Sequence, residues 1–316
     1  MIMKTLKIGT RGSVLALWQA EWVRARLESL HPDLEVDIIK IKTTGDKILD
    51  VPLAQVGGKG LFVKEIETAL LDKRIDLAVH SMKDMPAEVP PGLCIGAVPE
   101  RETPLDVLIS RDGYGFDALP EGARVGTSSL RRSAQLRHHR PDVRVHPLRG
   151  NLDTRLRKLE SENLHAIILA AAGVRRLGLE DRVTEYIPES LMLPAIGQGA
   201  LSIEIRQDDE TVRELIAPLN HRETRLAVDA ERAFLARLEG GCQVPIAGMA
   251  GVAGEEITLT GMVAEIDGSV LIREAGSGPV EKRVELGIEL ADRLLEKGGK
   301  EILQKVYGQS VQDLKG

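Results

Sequence analysis

Apolar and polar positions follow two rhythms along the first two-thirds of the chain. Short apolar runs of strand length recur: "LKIGT" near the start, "LEVDIIKIK" from Leu34, "IDLAVHS" from Ile75 and "LCIGAV" from Leu93. Between them, "SVLALWQAEWVRARLESL" and "LFVKEIETALLDK" repeat apolar residues at helical spacing. A second set begins near residue 105 with "DVLIS", "ARVGTSS", "VRVHPL" and "HAIILAAAG". Strand-like and helix-like segments in alternation predict βαβ units built on mainly parallel sheets. Two segments interrupt the rhythm. "AVPERETP" (97–104) sets Pro and charge between strands, and "LPAIGQGALSIEI" (193–205) carries Pro194, Gly197 and Gly199 before a strand-like run. Such a pair suits a chain that leaves one domain, builds a second and returns, which makes a double hinge over a cleft.

The last hundred residues change character. "EITLTGMVAEIDGSVLIREAG" alternates around Asp267-Gly268, a hairpin signal. "VELGIELADRLLEKGGKEILQKVY" then shows one helical pattern. This predicts a small α+β unit.

Length and composition refine the picture. A chain of 316 residues exceeds what one core usually fills, so two or three domains are expected. Aromatics make up only 3%, so aliphatic side chains must build the cores. A formal net charge of -6 argues against a general nucleic-acid or membrane binder. No run approaches the roughly 20 apolar residues that span a bilayer. The first residues lack the apolar stretch and cleavage site of a signal peptide, so a cytoplasmic location is expected.

Cations nevertheless gather in one window, "ARVGTSSLRRSAQLRHHRPDVRVHPLRGNLDTRLRK", opposed only by Asp142 and Asp153. Arg137, Arg140, Arg144, Arg157 and Lys158 read as solvated helix faces. Arg131, Arg132, Arg149 and Arg155 instead fall where strands run into helices. Helix N-termini, hydroxyls and guanidinium forks together make anion sites. Single-strand nucleic acid would call for stacking aromatics, and the window has none. "VGGKGLF" fails as a P-loop, because Gly60 stands where Ser or Thr belongs. His138, His139 and His146 lack carboxylate or cysteine partners at ligand spacing, so no metal is expected. A small molecule with several carboxylates remains. Arg11 and Ser13 in "IGTRGS", and Lys83 with Asp84 in "HSMKDMP", lie at similar strand ends. Lys83 and Asp84 could be a surface ion pair; in a cationic cleft, the carboxylate would meet a positive charge formed during reaction.

The two cysteines cannot form a disulfide framework. Cys94 sits in an apolar run and reads as a small buried hydrophobe. Cys242, in "LEGGCQVPIAG", follows two glycines that cannot shield it. A glycine-rich turn with an incidental thiol and a thiol presented for covalent chemistry both fit.

"VGGKGLFVKEIE", "AVHSMKDMP", "GTSSLRR", "RGNLDTRL", "LPAIGQGAL" and "EGGCQVPIAG" occur in that order. Together they resemble the hydroxymethylbilane synthase (porphobilinogen deaminase) family, over about residue 7 to past residue 300. The resemblance implies an α/β fold of two type II periplasmic-binding-protein-like lobes, each with a mainly parallel mixed sheet, plus a small C-terminal α+β domain. It divides the chain into 1–99 with 200–218, 100–199, and 219–316. It implies a transferase that condenses four porphobilinogen units head to tail, releasing ammonia, on a dipyrromethane cofactor held by a thioether to Cys242. Loss of ammonia from porphobilinogen leaves a cationic azafulvene. Asp84 matches the family's catalytic carboxylate, which would hydrogen-bond pyrrole N–H groups and stabilise that cation. For the cofactor, the matching residues are Lys83, Asp84, Thr127, Ser128, Ser129, Arg131, Arg132, Arg155 and Gly199. For the substrate they are Arg11, Ser13, Lys59, Phe62, Arg149, Gly150, Arg155, Arg176 and Gln198. Lys59, Gly60 and Phe62 fall in the family's mobile loop, and Gln198 and Gly199 in its hinge. Gln55 stands where many members carry Lys, and "ERETPLDVL" replaces a more charged hinge. Family precedent implies a monomer with neither nucleic acid nor membrane as partner. The rival reading is a non-catalytic two-lobed binding protein for a polycarboxylate.

Overall fold

The computed structural model describes residues 5–47, 63–238 and 244–313. Three sheets organise it. The first is built from β1 (Thr5–Thr10), β2 (Glu35–Lys40), β3 (Leu77–Ser81), β4 (Leu93–Ala97) and a strand that returns later, β10 (Leu201–Arg206). Their order is β2-β1-β3-β10-β4, with β1 parallel to β2 and β3, and β10 antiparallel to β3 and β4. The second contains β5 (Asp106–Ser110), β6 (Arg124–Gly126), β7 (Arg144–His146), β8 (Ala166–Ala170) and β9 (Glu185–Ile187). Its order is β7-β6-β8-β5-β9, with β6 parallel to β7 and β8, and β5 antiparallel to β8 and β9. The two sheets repeat one plan. In each, the reversed strand is the one that enters directly from a crossing segment.

Helices cover these sheets because their apolar positions recur at helical spacing. α1 (Val14–Leu30) starts where Ser13 Oγ accepts a bond from the Ala16 N–H, and it buries Ala16, Ala20, Val23 and Leu27. Ala20, Val23 and Leu27 pack with Leu6, Ile8, Leu77, Val79, Ile203 and Ile205, none more than 3% exposed. Each such aliphatic side chain contributes about 1.5–3 kcal/mol by leaving water. α2 (Thr44–Lys47) is a single turn, and α3 (Lys64–Leu71) covers the other face. In the second lobe, α4 (Leu130–His139), α5 (Leu152–Ser161) and α6 (Ala171–Arg176) follow β6, β7 and β8. α7 (Glu210–Ile216) follows β10.

The third sheet is antiparallel: β11 (Ile246–Ala253), β12 (Glu256–Ala264) and β13 (Leu271–Pro279). Gly248 and Gly261 pair across β11 and β12, and their missing side chains leave a slot for the buried Phe234 ring on α8 (Arg222–Arg237). A Cβ on Gly261 would lie 2.5 Å from Phe234 Cζ. α9 (Arg283–Leu294) and α10 (Lys300–Asp313) complete the unit.

Some expectations need correction. The run "HAIILAAAG" is not one strand: β8 ends at Ala170, and the small residues after it open α6. The single C-terminal helical pattern breaks at Gly298, whose φ of 107° no helix admits. β9, β11 and α8 gave no distinct signal. β11 is glycine-rich, and α8 is dense in charge.

Candidate active site

The residues expected to bind anions lie beyond the C-terminal ends of strands. Arg11 follows β1, and Lys83 and Asp84 form the 3₁₀ turn after β3. Across from them, Thr127, Ser128 and Ser129 lead from β6 into α4, Arg149 and Gly150 lead from β7 toward α5, and Arg176 ends α6. One cavity is lined by Arg11, Ser13, Gln19, Ser81 and Asp84, with His80 and Val63 in its wall. A neighbouring cavity joins Lys83, Arg176 and Gly199, so both lobes and the returning hinge share it.

The hydroxyls hold backbone. Ser129 Oγ caps α4 by accepting from Arg132 N, Thr127 Oγ1 accepts from Ser129 N, and Ser128 Oγ accepts from Leu148 N at 2.9 Å. They fix the turns from which the guanidiniums project. Gly150, with φ 112°, lets the chain turn into α5, where Asn151 caps Thr154 N and Arg155 Nε donates to Gly150 O.

The cations of the cleft are poorly compensated. Burial and then the charge of Arg132 push Lys83 down to about 8, with Asp84 and Asp106 opposing. Burial, Arg132 and Arg149 push Arg155 down to about 10, with Asp84 opposing. Burial also lowers Arg176 to about 10, although Glu102 acts against it. Arg176 Nη2 donates to Gly199 O at 2.7 Å, and its guanidinium lies 5.9 Å from the Trp18 ring centre. Among the described residues, Lys83, Arg149 and Arg155 have no carboxylate oxygen within 4.0 Å. Asp84 is the carboxylate that both Lys83 and Arg155 feel, from opposite lobes.

Arg131 and Arg132 are placed differently from the other cations. Both are buried against Asp106, which is 0% exposed. Arg132 Nε and Nη2 reach Asp106 Oδ1 at 3.0 and 2.7 Å, and Arg132 Nη1 donates to Ile168 O. Arg131 Nη1 lies 2.7 Å from Asp106 Oδ2 as an ion pair and also donates to Leu193 O. Burial alone would raise the Asp106 carboxyl, but the two guanidiniums outweigh it and hold it well below the carboxylate range. Gln198 is 1% exposed and fully engaged. Its Nε2 donates to Pro104 O and Asp106 Oδ1, and its Oε1 accepts from Lys83 Nζ at 3.4 Å. Gln198 therefore links Lys83 to the Asp106 cluster. Gly199 (φ 89°) sits so close to the other crossing that a Cβ would lie 2.2 Å from Glu102 O.

Two further expectations are corrected. Arg140 is not a solvated face; it ties down the loop at Phe116, Asp117 and Leu119 through their carbonyls. Arg137 donates to Ile266 O of the third unit. Asp106, Arg101 and Glu231 escaped sequence reasoning. Arg101 Nη1 lies 2.5 Å from the buried Glu231 Oε1, and Glu231 also accepts from Gly197 N and Ala250 N. The only signal was charge inside the "ERETPLD" crossing. Lys59, Gly60, Phe62, Gln55 and Cys242 lie outside the described residues. Among the described residues, no cluster of three or more His, Cys, Asp or Glu could hold a metal ion.

Comparison with known proteins settles the family. The profile described as "Porphobilinogen deaminase, dipyromethane cofactor binding domain" matches residues 6–214, and that of "Porphobilinogen deaminase, C-terminal domain" matches residues 225–296. The chain belongs to the porphobilinogen deaminase family. Porphobilinogen deaminases of Geotalea uraniireducens and Geobacter metallireducens are each 58% identical over 311 residues, covering 98% of both chains. That of Syntrophotalea carbinolica is 57% identical over 303 residues, covering 96% of both. Among solved structures, the periplasmic VFT2 domain of Bordetella pertussis BvgS is similar at a TM-score of 0.39 and 13% identity, over 67% of this chain and 85% of that one. The fold itself rests on the strand orders above.

The donor set fits the cofactor named by the family profile. A dipyrromethane built from two porphobilinogen units carries carboxylate arms. Lys83 and Arg155 hold their charge against burial and the repulsion of neighbouring guanidiniums, Arg132 above all, a cost that bound carboxylates would reverse.

Proposed function

We propose that this porphobilinogen deaminase acts as a hydroxymethylbilane synthase. It condenses four porphobilinogen units head to tail, releases ammonia, and frees the linear tetrapyrrole. The observation that carries the reading is Asp84, a carboxylate lining the cavity and felt by cations of both lobes that have no ion-pair partner of their own. Lys83, Arg149 and Arg155 hold carboxylate arms, each charge-assisted contact contributing ~1.5–3 kcal/mol. Arg11 and Arg176 receive the incoming substrate's arms. Asp84 orients pyrrole N–H groups and opposes the positive charge that develops as ammonia departs. A dipyrromethane on Cys242 supplies the nucleophilic ring carbon when bound. The same reading takes 1–99 with 200–218, 100–199 and 219–316 as domains, and a cytoplasmic monomer as the working form. Among the described residues, no helix is long and apolar enough to cross a membrane.

Intact mass should exceed the sequence mass by two linked pyrrole units, and acid p-dimethylaminobenzaldehyde should colour the protein. Cys242→Ser should lose both signals together with activity. Asp84→Ala should keep the covalent pyrroles yet lose turnover by roughly 10²–10³-fold. An unmodified mass after incubation with porphobilinogen would favour the non-catalytic binder instead.

A further inference from the structure

Beneath α3 the first sheet buries a polar cluster that the reading above does not use. Glu67 from α3 is 7% exposed, His80 from β3 is 5%, and Ser202 and Glu204 from β10 are both 0%. The antiparallel register sets Ser202 opposite His80, and alternation puts Glu204 on the same face as both. His80 Nε2 lies 3.1 Å from Glu204 Oε2. Three buried oxygens, Glu67 Oε1, Ser202 Oγ and Glu204 Oε1, have no hydrogen-bond partner. Orphaned oxygens in a buried group are costly unless a proton or a polar bridge serves them. Arg232 on α8 is the cation that feels Glu204, but its Nη2 donates to Pro86 O and Ala87 O.

Two ionised carboxylates beside a neutral imidazole would bury two negative charges, which an apolar surrounding does not tolerate. The cluster therefore holds protons. Burial, and then the charge of Glu204, raises Glu67 from 4.5 to about 7, with His80 opposing. A group poised there exchanges its proton readily near neutrality. His80 also lines the cavity that holds Ser81 and Asp84, so the cluster adjoins the candidate site.

We propose that Glu67, His80, Ser202 and Glu204 form a buried proton store serving the condensation. This rests on the hydroxymethylbilane synthase reading. Each condensation forms one carbon–carbon bond and breaks the aminomethyl carbon–nitrogen bond, whose electron pair leaves with ammonia. The attacking ring carbon must then give up its proton. The store takes that proton through His80 and returns it to ammonia, which departs as ammonium, so each cycle leaves the protein's proton count unchanged. Glu67, Ser202 and Glu204 act through His80 and are positioning residues.

The test is infrared titration of the whole protein, with its covalent pyrroles, against Glu67→Gln. The wild type should show the carbonyl stretch of a buried carboxylic acid at about pH 6 and lose it by about pH 8. Glu67→Gln should lack that titrating band. Its kcat should fall ~10²-fold, at the lower end for a positioned proton-transfer group. KM and the intact mass should stay as in the wild type, and the limb of the rate profile near neutral pH should vanish. The proposal is overturned by a wild type without the band, by a band that survives in Glu67→Gln, or by coincident rate profiles. Should Glu67→Gln not fold, the wild-type titration with Glu204→Gln decides on the same terms. Failure of the underlying functional reading looks different: no ammonia release by the wild type, with the infrared band untouched.

Discussion

Replacing Asp106 with Asn tests the electrostatic centre of the hinge. The carboxylate sits against two guanidiniums that are 5% and 6% exposed, so water cannot take its place. Asn keeps Oδ1 as an acceptor for Arg132 Nε and Gln198 Nε2, now at 3.0 and 2.9 Å. Its Nδ2 faces Arg131 Nη1, so a donor meets a donor where an ion pair stood. Removing one charge of a buried pair costs about 3–5 kcal/mol, and the retained acceptor places this variant near 3. At about 2–4 °C per kcal/mol, the melting temperature should fall by about 6–12 °C at neutral pH. The pH dependence has a definite sign. The folded-state carboxyl is depressed below its ordinary 3.8, so its stabilisation is present above that value and is lost only as pH falls through the lower, folded one. The gap between wild type and variant should persist down to about pH 4 and close only in stronger acid. Circular dichroism melts across this range provide the assay. Equal melting temperatures at neutral pH would refute the claim that Asp106 compensates Arg131 and Arg132.

Two other outcomes follow from the same geometry. Gly199→Ala should lower the urea midpoint, at about 1–3 kcal/mol or more, because φ 89° and a Cβ 2.2 Å from Glu102 O strain backbone on both sides. A midpoint equal to wild type would show that the crossings separate easily. Lys83, lowered from 10.5 to about 8, binds fewer protons folded than unfolded between those values, so its part of stability rises with pH across that window. Bound carboxylate should reverse the shift, so Cys242→Ser protein, free of covalent pyrroles, titrated calorimetrically with porphobilinogen at about pH 9 should draw in protons, and adding Lys83→Met should abolish the uptake; no uptake in Cys242→Ser would contradict the placement.

The sequence carried the parts of this protein that depend on local pattern. The runs from Leu6, Ile75, Asp106 and Ala166 are short and aliphatic, and each forms a buried strand. The strand–helix junctions that carry the candidate anion-binding residues were legible because a hydroxyl before an Arg at such a junction is a local feature, as in "GTSSLRR". Long-range pairing was not. Nothing near Asp106 announces that it neutralises Arg131 and Arg132 from 25 and 26 residues away. Glu67 and Glu204 are separated by most of two lobes, yet one sheet face buries them together. Arg131 shows the reverse limit: its motif identified a cation at a site, while only the structure showed that cation sealed against Asp106 and Leu193 O.

The distribution of carboxylates explains why the cleft and hinge behave differently. At the crossings, every buried cation has a fixed counter-charge: Arg101 has Glu231, and Arg131 and Arg132 have Asp106. Those pairs need no ligand to be neutralised. Lys83 and Arg155 share the more distant Asp84, with Asp106 also acting on Lys83, and both lose proton affinity to burial. A cleft in that state gains stability from any polycarboxylate it encloses, by mass action on the folded form. A permanently attached polycarboxylate would make that gain constant. Gln198 then has a structural reason to bond both groups, Lys83 at 3.4 Å and Asp106 at 2.9 Å. It ties the cation that responds to ligand to the cluster that does not, so a charge change at Lys83 is felt at the junction between the lobes.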